Sequence, residues 1–463
     1  MLFNSTKFLF FFLPVAYLVF WCLRTKQQRY IWLTITGYVF YSAWNYKFCA
    51  LMAFSTIVSF LAGLGFLRFD SGLARRLCLV LPITIDLLLL GFFKYANFGA
   101  QTVNAVSDVL GLHVSLPAID VILPIGISFY TFHTISYIVD CYRKTITPTK
   151  NFFEFSCYVS LFSQLVAGPI VRFRQIESDL ENIDRKGPFD GLNIGFSFFA
   201  IGIIEKVLIA DTIAGAIDRP LAAYHTLSTA GAWLCMLGYT YQLFFDFVGY
   251  SDMAVGLGYL FGLRIPQNFN SPYKAIDIAD FWRRWHISLS SCLRDYIYIP
   301  LGGNRFGKFG QYRNLLLTML IGGLWHGAAW TFVFWGAYHG VLLALNKFFE
   351  DHVKRVPLLL RCASTFLLVL IGWVFFRSTS FVMASELLQK MFVPQSGTTD
   401  IPAVFGLASV LIIAAFLSHV APNSWELKHE WKPAPTFALA AGFSFAMMLM
   451  MVGIESPFLY FQF

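Results

Sequence analysis

His326 stands in Trp325-His326-Gly327, inside a run with no Asp, Glu, Lys or Arg from Asn314 to Asn346. Arg313 is the last charge before it. A helix begun there, rising ~1.5 Å per residue, carries His326 roughly 20 Å along, near the middle of a hydrocarbon core about 30 Å thick. An ionisable side chain at that depth is costly and marks a functional site by default. A neutral imidazole is the least costly such group, and burial keeps it able to accept a proton. The chemistry it suits is general-base catalysis inside a membrane.

A second histidine precedes it. The segment from Asp277 to Leu289 reads as one amphipathic helix, capped by Asp277 with Asp280 in the capping-box position. Trp282, Trp285, Leu289 and Leu293 share its apolar face, and Arg283, Arg284 and Arg294 lie elsewhere on its surface. Alone, this reads as a helix lying in the membrane interface, with tryptophans in lipid and arginines on headgroups. His286 changes the weighing, because it can converge on His326, one histidine abstracting a proton while the other orients or polarises. A metal site is the competing chemistry. It wants a third protein ligand, and no carboxylate or Cys stands beside His326, so no metal is assigned. His339 reads as a hydrogen-bonding side chain between helices.

Three further features bear on a site. Gly302-Gly303-Asn304-Arg305-Phe306-Gly307-Lys308 lacks the Gly-Lys-Ser/Thr of a P-loop. Its amides, with Arg305, Lys308 and Arg313, suit either phosphate at a cytoplasmic mouth or an ordinary turn. Asp246, among the aromatics of 241–252, is either a buried structural acid or part of a polar tunnel. Asp86, alone in 83–93, carries the same two readings.

The elements that must position these residues are membrane helices. Hydrophobic residues make up 57% of 463 and charged ones 13%, against about 25% charged in soluble domains. Apolar spans recur at 8–23, 31–46, 48–67, 77–93, 120–139, 152–169, 190–204, 227–245, 314–346, 357–376, 402–420 and 433–454. The expectation is an all-α polytopic chain of about ten to twelve crossing or re-entrant helices. Its first span reads as an uncleaved helix. The net charge of +8 sits in short loops, which speaks for positive-inside topology and against nucleic acid. Basic residues after spans one, three and five place those loops in the cytoplasm and the N-terminus outside. The basic stretch Arg172–Lys186 would then face the same side as 141–151, so 152–169 enters and returns, with Gly168-Pro169 as breaker. The thirty-three uncharged residues of 314–346 exceed one crossing, and two helices broken near His326 fit them. The long polar region 251–313 faces the cytoplasm, and residues 1–463 read as a single integral domain. The eight cysteines are scattered singly and read as reduced.

Phe281-Trp282-Arg283-Arg284-Trp285-His286-Ile287-Ser288-Leu289, followed by Leu324-Trp325-His326-Gly327, resembles the membrane-bound O-acyltransferase family, in its bacterial alginate O-acetyltransferase branch. Leu123-Pro124-Ile125-Gly126-Ile127-Ser128-Phe129-Tyr130, Ala167-Gly168-Pro169-Ile170 with Arg172-Phe173-Arg174, and Phe245-Asp246-Phe247 through Gly249-Tyr250-Ser251-Asp252 support it. So does Phe458-Leu459-Tyr460-Phe461-Gln462-Phe463. Val248 departs from the pattern, which has Ser there. The resemblance implies a ring of helices around a cytoplasmic funnel leading to His326, the family's essential histidine. His286 falls at its second position, which is Asn, Asp or His according to branch.

The resemblance also implies an acyl thioester donor, acetyl-CoA first, with a carrier protein in the D-alanyl branch, and no tightly bound cofactor. It points to a polysaccharide acceptor such as alginate outside the bacterial cytoplasmic (inner) membrane. Periplasmic or cell-surface proteins would complete the delivery, since this chain shows no soluble extracytoplasmic domain. Trp285, Trp325, Arg283, Arg284, Asn304 and Asp246 are the candidate donor- and substrate-binding residues. D-alanyl transfer to a cell-wall polymer is the alternative among enzymes. A proton-coupled transporter is the alternative from another class, but the His-bearing glycine break occurs only in the second half of the chain.

Overall fold

A computed structural model describes residues 1–112, 114–399, 404–452 and 458–459. Every named element among them is helical. Five helical stretches are long and apolar enough to cross a membrane: Lys26–Arg68, Gly72–Val109, Leu192–Ala222, Leu358–Arg377 and Pro433–Met451. Shorter apolar helices cover Phe8–Cys22 and Gly406–His419. This is an all-α, multi-pass membrane protein.

Three of the long stretches are compound, and one of them, Lys26–Arg68, takes in two of the spans read from sequence, 31–46 and 48–67. Lys26–Arg68 holds two helices, Lys26–Asn45 and Cys49–Arg68, joined by a single tight turn at Tyr46–Phe48. Gly72–Val109 is interrupted by a wider π-turn at Gly91–Tyr95. Leu192–Ala222 carries another at Glu205–Ala210. Such turns insert one residue into the helical ladder and collect at functional or strained positions. The 190–204 span thus stops short of the helix, which runs on through Glu205 and Lys206. Of the spans read from sequence, 402–420 begins and 433–454 ends on residues outside those described.

The chain packs as two compact units, one formed by 1–195 with 257–266 and the other by 196–256 with 267–463. In the first, Thr25 and Gln28 close a capping box at the start of Lys26–Asn45. That helix approaches Phe152–Ser160 so closely that a Cβ on Gly37 would run into the Ser160 carbonyl oxygen. Phe152–Ser160 is nine residues long, about 14 Å at 1.5 Å each, and does not cross. It ends at Ser160, eight residues before Gly168, so the stop comes earlier than the expected breaker Gly168-Pro169. Gly168 is there for close packing, since a Cβ would meet the Ser163 carbonyl. Asp86 is a structural acid held by two hydroxyls, Ser55 Oγ at 2.7 Å and Thr134 Oγ1 at 2.6 Å.

Asp179 anchors the polar edge of this unit. Its carboxylate accepts from Lys186 Nζ at 2.7 Å, from Arg264 Nη2 at 2.8 Å and from the Arg264 amide at 2.9 Å. Burial pushes its pKa up, but the Arg264 and Lys186 hydrogen bonds outweigh that and hold it below the usual carboxylate value. A depressed carboxylate stabilises the fold above its unfolded pKa, and that contribution is lost as pH falls through the folded one. Asp179→Ala is expected to destabilise by about 2–4 kcal/mol, since it strands two cations against each other. Thermal unfolding in detergent at pH 7 checks this, and the gap from wild type should close as the pH is lowered towards 3.

The second unit contains every residue proposed above for catalysis or substrate binding. The run 314–346 forms two helices, Gly307–His326 and Trp330–Phe348, broken at Gly327–Ala329 as expected. Their backbones touch. A Cβ on Gly323 would strike the Phe332 carbonyl oxygen, and one on Gly336 would strike that of Met319. Small residues are what permit such contact between membrane helices. The hairpin leaves His326 on the last turn of its first helix, beside the break.

Candidate active site

The segment Asp277–Leu289 is not one helix. Asp277 does cap it, accepting from the Asp280 amide at 2.7 Å, but the first helix, Ile278–Arg284, stops after seven residues. Trp285 is extended and His286 sits in the left-handed region at φ 45°, ψ 54°, after which Ile287–Leu293 begins. A left-handed non-glycine residue is uncommon and is retained where its surroundings hold it. Here the backbone does so: the Asn270 amide donates to Arg284 O at 2.9 Å and the Ile287 amide to Asn268 O at 2.8 Å. The chain therefore turns sharply at His286 and drives its side chain inward.

The interfacial reading of the tryptophans is overturned as well. Trp282 and Trp285 are both buried. Trp285 stacks on Phe281 at 5.6 Å and lies 5.0 Å from Trp373. Trp282 Nε1 donates to His339 Nδ1 at 3.3 Å, which gives His339 the interhelical hydrogen bond expected of it. The bulk of these side chains is spent on a protein core, not on lipid.

His286 and His326 come together. Their ring centroids are 6.3 Å apart and both side chains are buried. Trp325 lies 6.1 Å from His286 and 5.0 Å from His326. Trp335 and Phe376 pack against His326 at 5.1 and 5.4 Å, and Phe247 against His286 at 4.7 Å. Burial lowers the pKa of His286 below the usual histidine value, which keeps its imidazole neutral at physiological pH. Two buried imidazoles in an aromatic, water-poor box can accept and return one proton between a hydroxyl and a leaving group.

The same helices also wall a cavity of about 360 Å³, whose lining includes neither histidine, nor Trp285 or Trp325. Thr318 and Met319, two turns before His326 on the same helix, form part of its wall, with Leu293 and Leu343 adding apolar surface. Arg283 and Arg294 line it too, with Ser290 and Ser291, Arg283 also contacting Asp280 at 3.4 Å and Arg294 Asp295 at 2.7 Å. Arg283 is the one predicted binding arginine that reaches this space. Arg284 is tied instead to Asp280 Oδ2 at 2.9 Å and to the Asn270 carbonyl at 3.2 Å. Asn304 is exposed in the turn 299–306 and is not among the lining residues. The glycines of that turn answer to conformation: Gly302, Gly303 and Gly307 all have positive φ.

Asp246 is a buried ion-pair partner. Its Oδ1 lies 2.6 Å from Lys206 Nζ, and its Oδ2 accepts from the Leu459 amide at 3.0 Å. Lys206 also holds Asp211 at 2.6 Å. Of the terminal motif 458–463, residues 460–463 lie outside those described. Sequence reasoning missed Lys206 and Asn268. The signal for Lys206 was present, as a Glu-Lys pair flanked on both sides by apolar residues (Ile203-Ile204 and Val207-Leu208-Ile209). Asn268 offered none, because its role arises only once the loop closes on His286.

A multi-pass helical protein with two buried histidines meeting at a helix break is built for proton transfer away from water. The family model described as MBOAT, membrane-bound O-acyltransferase family, matches residues 119–385, a span that holds both histidines. The chain belongs to that family and is an O-acyltransferase. It is 46% identical over 395 residues to a probable alginate O-acetylase of Pseudomonas syringae pv. tomato, covering 85% of this chain and 75% of the relative. It is 36% identical over 426 residues to a peptidoglycan O-acetyltransferase of Helicobacter pylori, covering 84% and 80%. A teichoic acid D-alanyltransferase of Bacillus subtilis is 32% identical over 297 residues, covering 58% and 74%.

Proposed function

We propose that this acyltransferase takes acetyl from a cytoplasmic thioester, acetyl-CoA, and passes it across the bacterial inner membrane toward O-acetylation of an extracytoplasmic polysaccharide of the alginate class. The observation that carries the reading is the buried histidine pair, 6.3 Å between ring centroids. His326 takes the proton of an acceptor hydroxyl as its oxygen attacks the thioester carbonyl. The tetrahedral intermediate then expels the thiolate, which receives that proton, and a C–O bond has replaced a C–S bond. His286 assists by orienting or polarising. An activated thioester needs little more than positioning and a base.

The cavity walled by the helices that carry the pair supports a thioester donor, since Arg283 and Arg294 suit phosphate and the apolar wall suits a pantetheine-like arm. The two O-acetylating relatives act, by their names, on polysaccharides. Acceptance by separate periplasmic or cell-surface transfer proteins belongs to the same reading, and no metal or bound cofactor takes part in it.

The test supplies radiolabelled acetyl-CoA to purified protein in lipid, with membrane-extracted partner and polymer fractions. Label in an alkali-labile ester on partner or polymer is the expected result. Transfer from a D-alanyl carrier protein, with none from acetyl-CoA, would move the donor to the carrier-protein class.

A further inference from the structure

The hydrogen bonds around His286 determine which of its nitrogens carries the proton. Asn268, 2% exposed, directs its side-chain oxygen at three groups: the Ser288 amide at 3.2 Å, Ser288 Oγ at 2.8 Å and His286 Nδ1 at 3.2 Å. Its Nδ2 faces Ser251 Oγ at 3.2 Å. An asparagine amide can in principle be turned either way round. Here it cannot, because the Ser288 backbone N–H only donates and so requires an oxygen opposite it. Ser288 Oγ also lies 3.4 Å from His286 Nδ1 but spends its one proton on the nearer Asn268 oxygen at 2.8 Å, so the oxygen facing Nδ1 calls for a proton on that nitrogen. In a neutral ring the proton on Nδ1 leaves Nε2 as a bare lone pair. That Nε2 is buried and has no hydrogen-bond partner among the described residues.

We propose that Asn268 is a positioning residue that locks His286 in its Nδ1-protonated tautomer and thereby leaves its Nε2 lone pair as a hydrogen-bond acceptor that orients the reacting centre, while His326 takes the hydroxyl proton. This rests on the reading of the His286–His326 pair as the acyl-transfer centre, and it gives the second histidine a definite part there as hydrogen-bond acceptor. Asn268 acts twice on the same ring. Its backbone carbonyl accepts from Ile287 and holds the left-handed turn, and its side chain selects the tautomer. Ser251, in the Gly249–Asp252 motif, and Ser288 complete the arrangement by fixing the amide.

A neutral acceptor suits this place. The rings facing His286 are Phe247 on the Thr229–Leu260 helix, Phe269, and Trp325 and His326 on the Gly307–His326 helix. Among these groups His326 is the one titratable side chain. An amide oxygen orients the ring without adding a charge that would stabilise the imidazolium, whereas a carboxylate in its place would add one.

The experiment uses full-length protein in lipid with its nine histidines labelled with ¹⁵N in the ring, His286 being assigned by loss of its signals in His286→Gln. The expected spectrum shows Nδ1 protonated and Nε2 bare from pH 6 to 8. Protonation at Nε2 with a bare Nδ1 would overturn the proposal, whatever the activity. Two variants extend the test to catalysis. Asn268→Ala should mix the tautomers and lower kcat by about 10–100-fold, the range for loss of an orienting partner, with the donor KM unchanged. Asn268→Asp keeps an acceptor for Nδ1 and for both Ser288 donors. It should hold kcat at its optimum within about threefold of wild type, while the acidic limb of the pH profile moves to higher pH because the added carboxylate raises the pKa of His286. If Asn268→Ala does not fold, the wild-type spectrum and Asn268→Asp decide alone. Asn268→Asp with an unmoved acidic limb would contradict the contact. A locked tautomer in protein that transfers no acyl group from any thioester would support the assignment and overturn the acyl-transfer reading beneath it.

Discussion

His326→Ala is expected to lower acyl transfer by about 10²–10⁴-fold while leaving the protein folded. The magnitude is what a positioned general base contributes, equal to about 3–5 kcal/mol of transition-state stabilisation. Its ring is enclosed by Trp325, Trp335, Phe376 and His286, with centroids 5.0 to 6.3 Å away, so water cannot easily take its place as base. The loss should fall on kcat and leave the KM for the donor within a few-fold, because Arg283 and the cavity wall remain. His326→Gln, which keeps most of the volume, should be as inactive as His326→Ala. A Gln variant with near wild-type turnover would show that the ring serves packing and not proton transfer.

The second large effect is on stability. Lys206→Met removes the cation from Asp246 and Asp211, each 2.6 Å from its Nζ, and all three side chains are 3% exposed. The attraction inside a protein compensates for the desolvation of such a cluster only while it is complete. Breaking it strands two buried carboxylates and is expected to cost about 3–5 kcal/mol. It should also loosen Leu459, whose amide donates to Asp246. Adding Asp246→Asn and Asp211→Asn to Lys206→Met should recover most of the loss, because neutral amides replace stranded charges. Thermal unfolding of the matched series in one detergent measures this. A change below about 1 kcal/mol in Lys206→Met would show that the carboxylates do not depend on the lysine.

These two expectations rest on features of unequal legibility. His326 and the break beside it were readable because absence of charge over 314–346, a histidine within it and clustered glycines are all properties of composition. Length then forced two helices. His286 was readable as a partner but not in its geometry. Trp282, Trp285, Leu289 and Leu293 keep helical spacing straight through the point where the helix stops, so periodicity cannot report a single left-handed residue. That residue is held by Asn268 and Asn270, eighteen and sixteen positions earlier, and loop pairing of that kind leaves no trace in local pattern. The same limit hid the tautomer contact. Lys206 is hidden for the opposite reason: charge reads as the end of a span, whereas the helix absorbs it through a π-turn and an ion pair from another helix. The stop after Ser160 was misplaced because Gly168-Pro169 is the stronger breaker by residue type, yet its glycine is there for close packing.

The most direct measurement is a single-turnover transfer of labelled acetyl from its thioester by wild type, His326→Ala, His286→Ala and the double variant, each at matched folded abundance in lipid. Residues that act as one unit lose activity once, so the double variant should be no slower than about threefold below the worse single variant. Losses that multiply would place the two histidines in separate steps, and full activity in His326→Ala would remove the pair from the chemistry altogether.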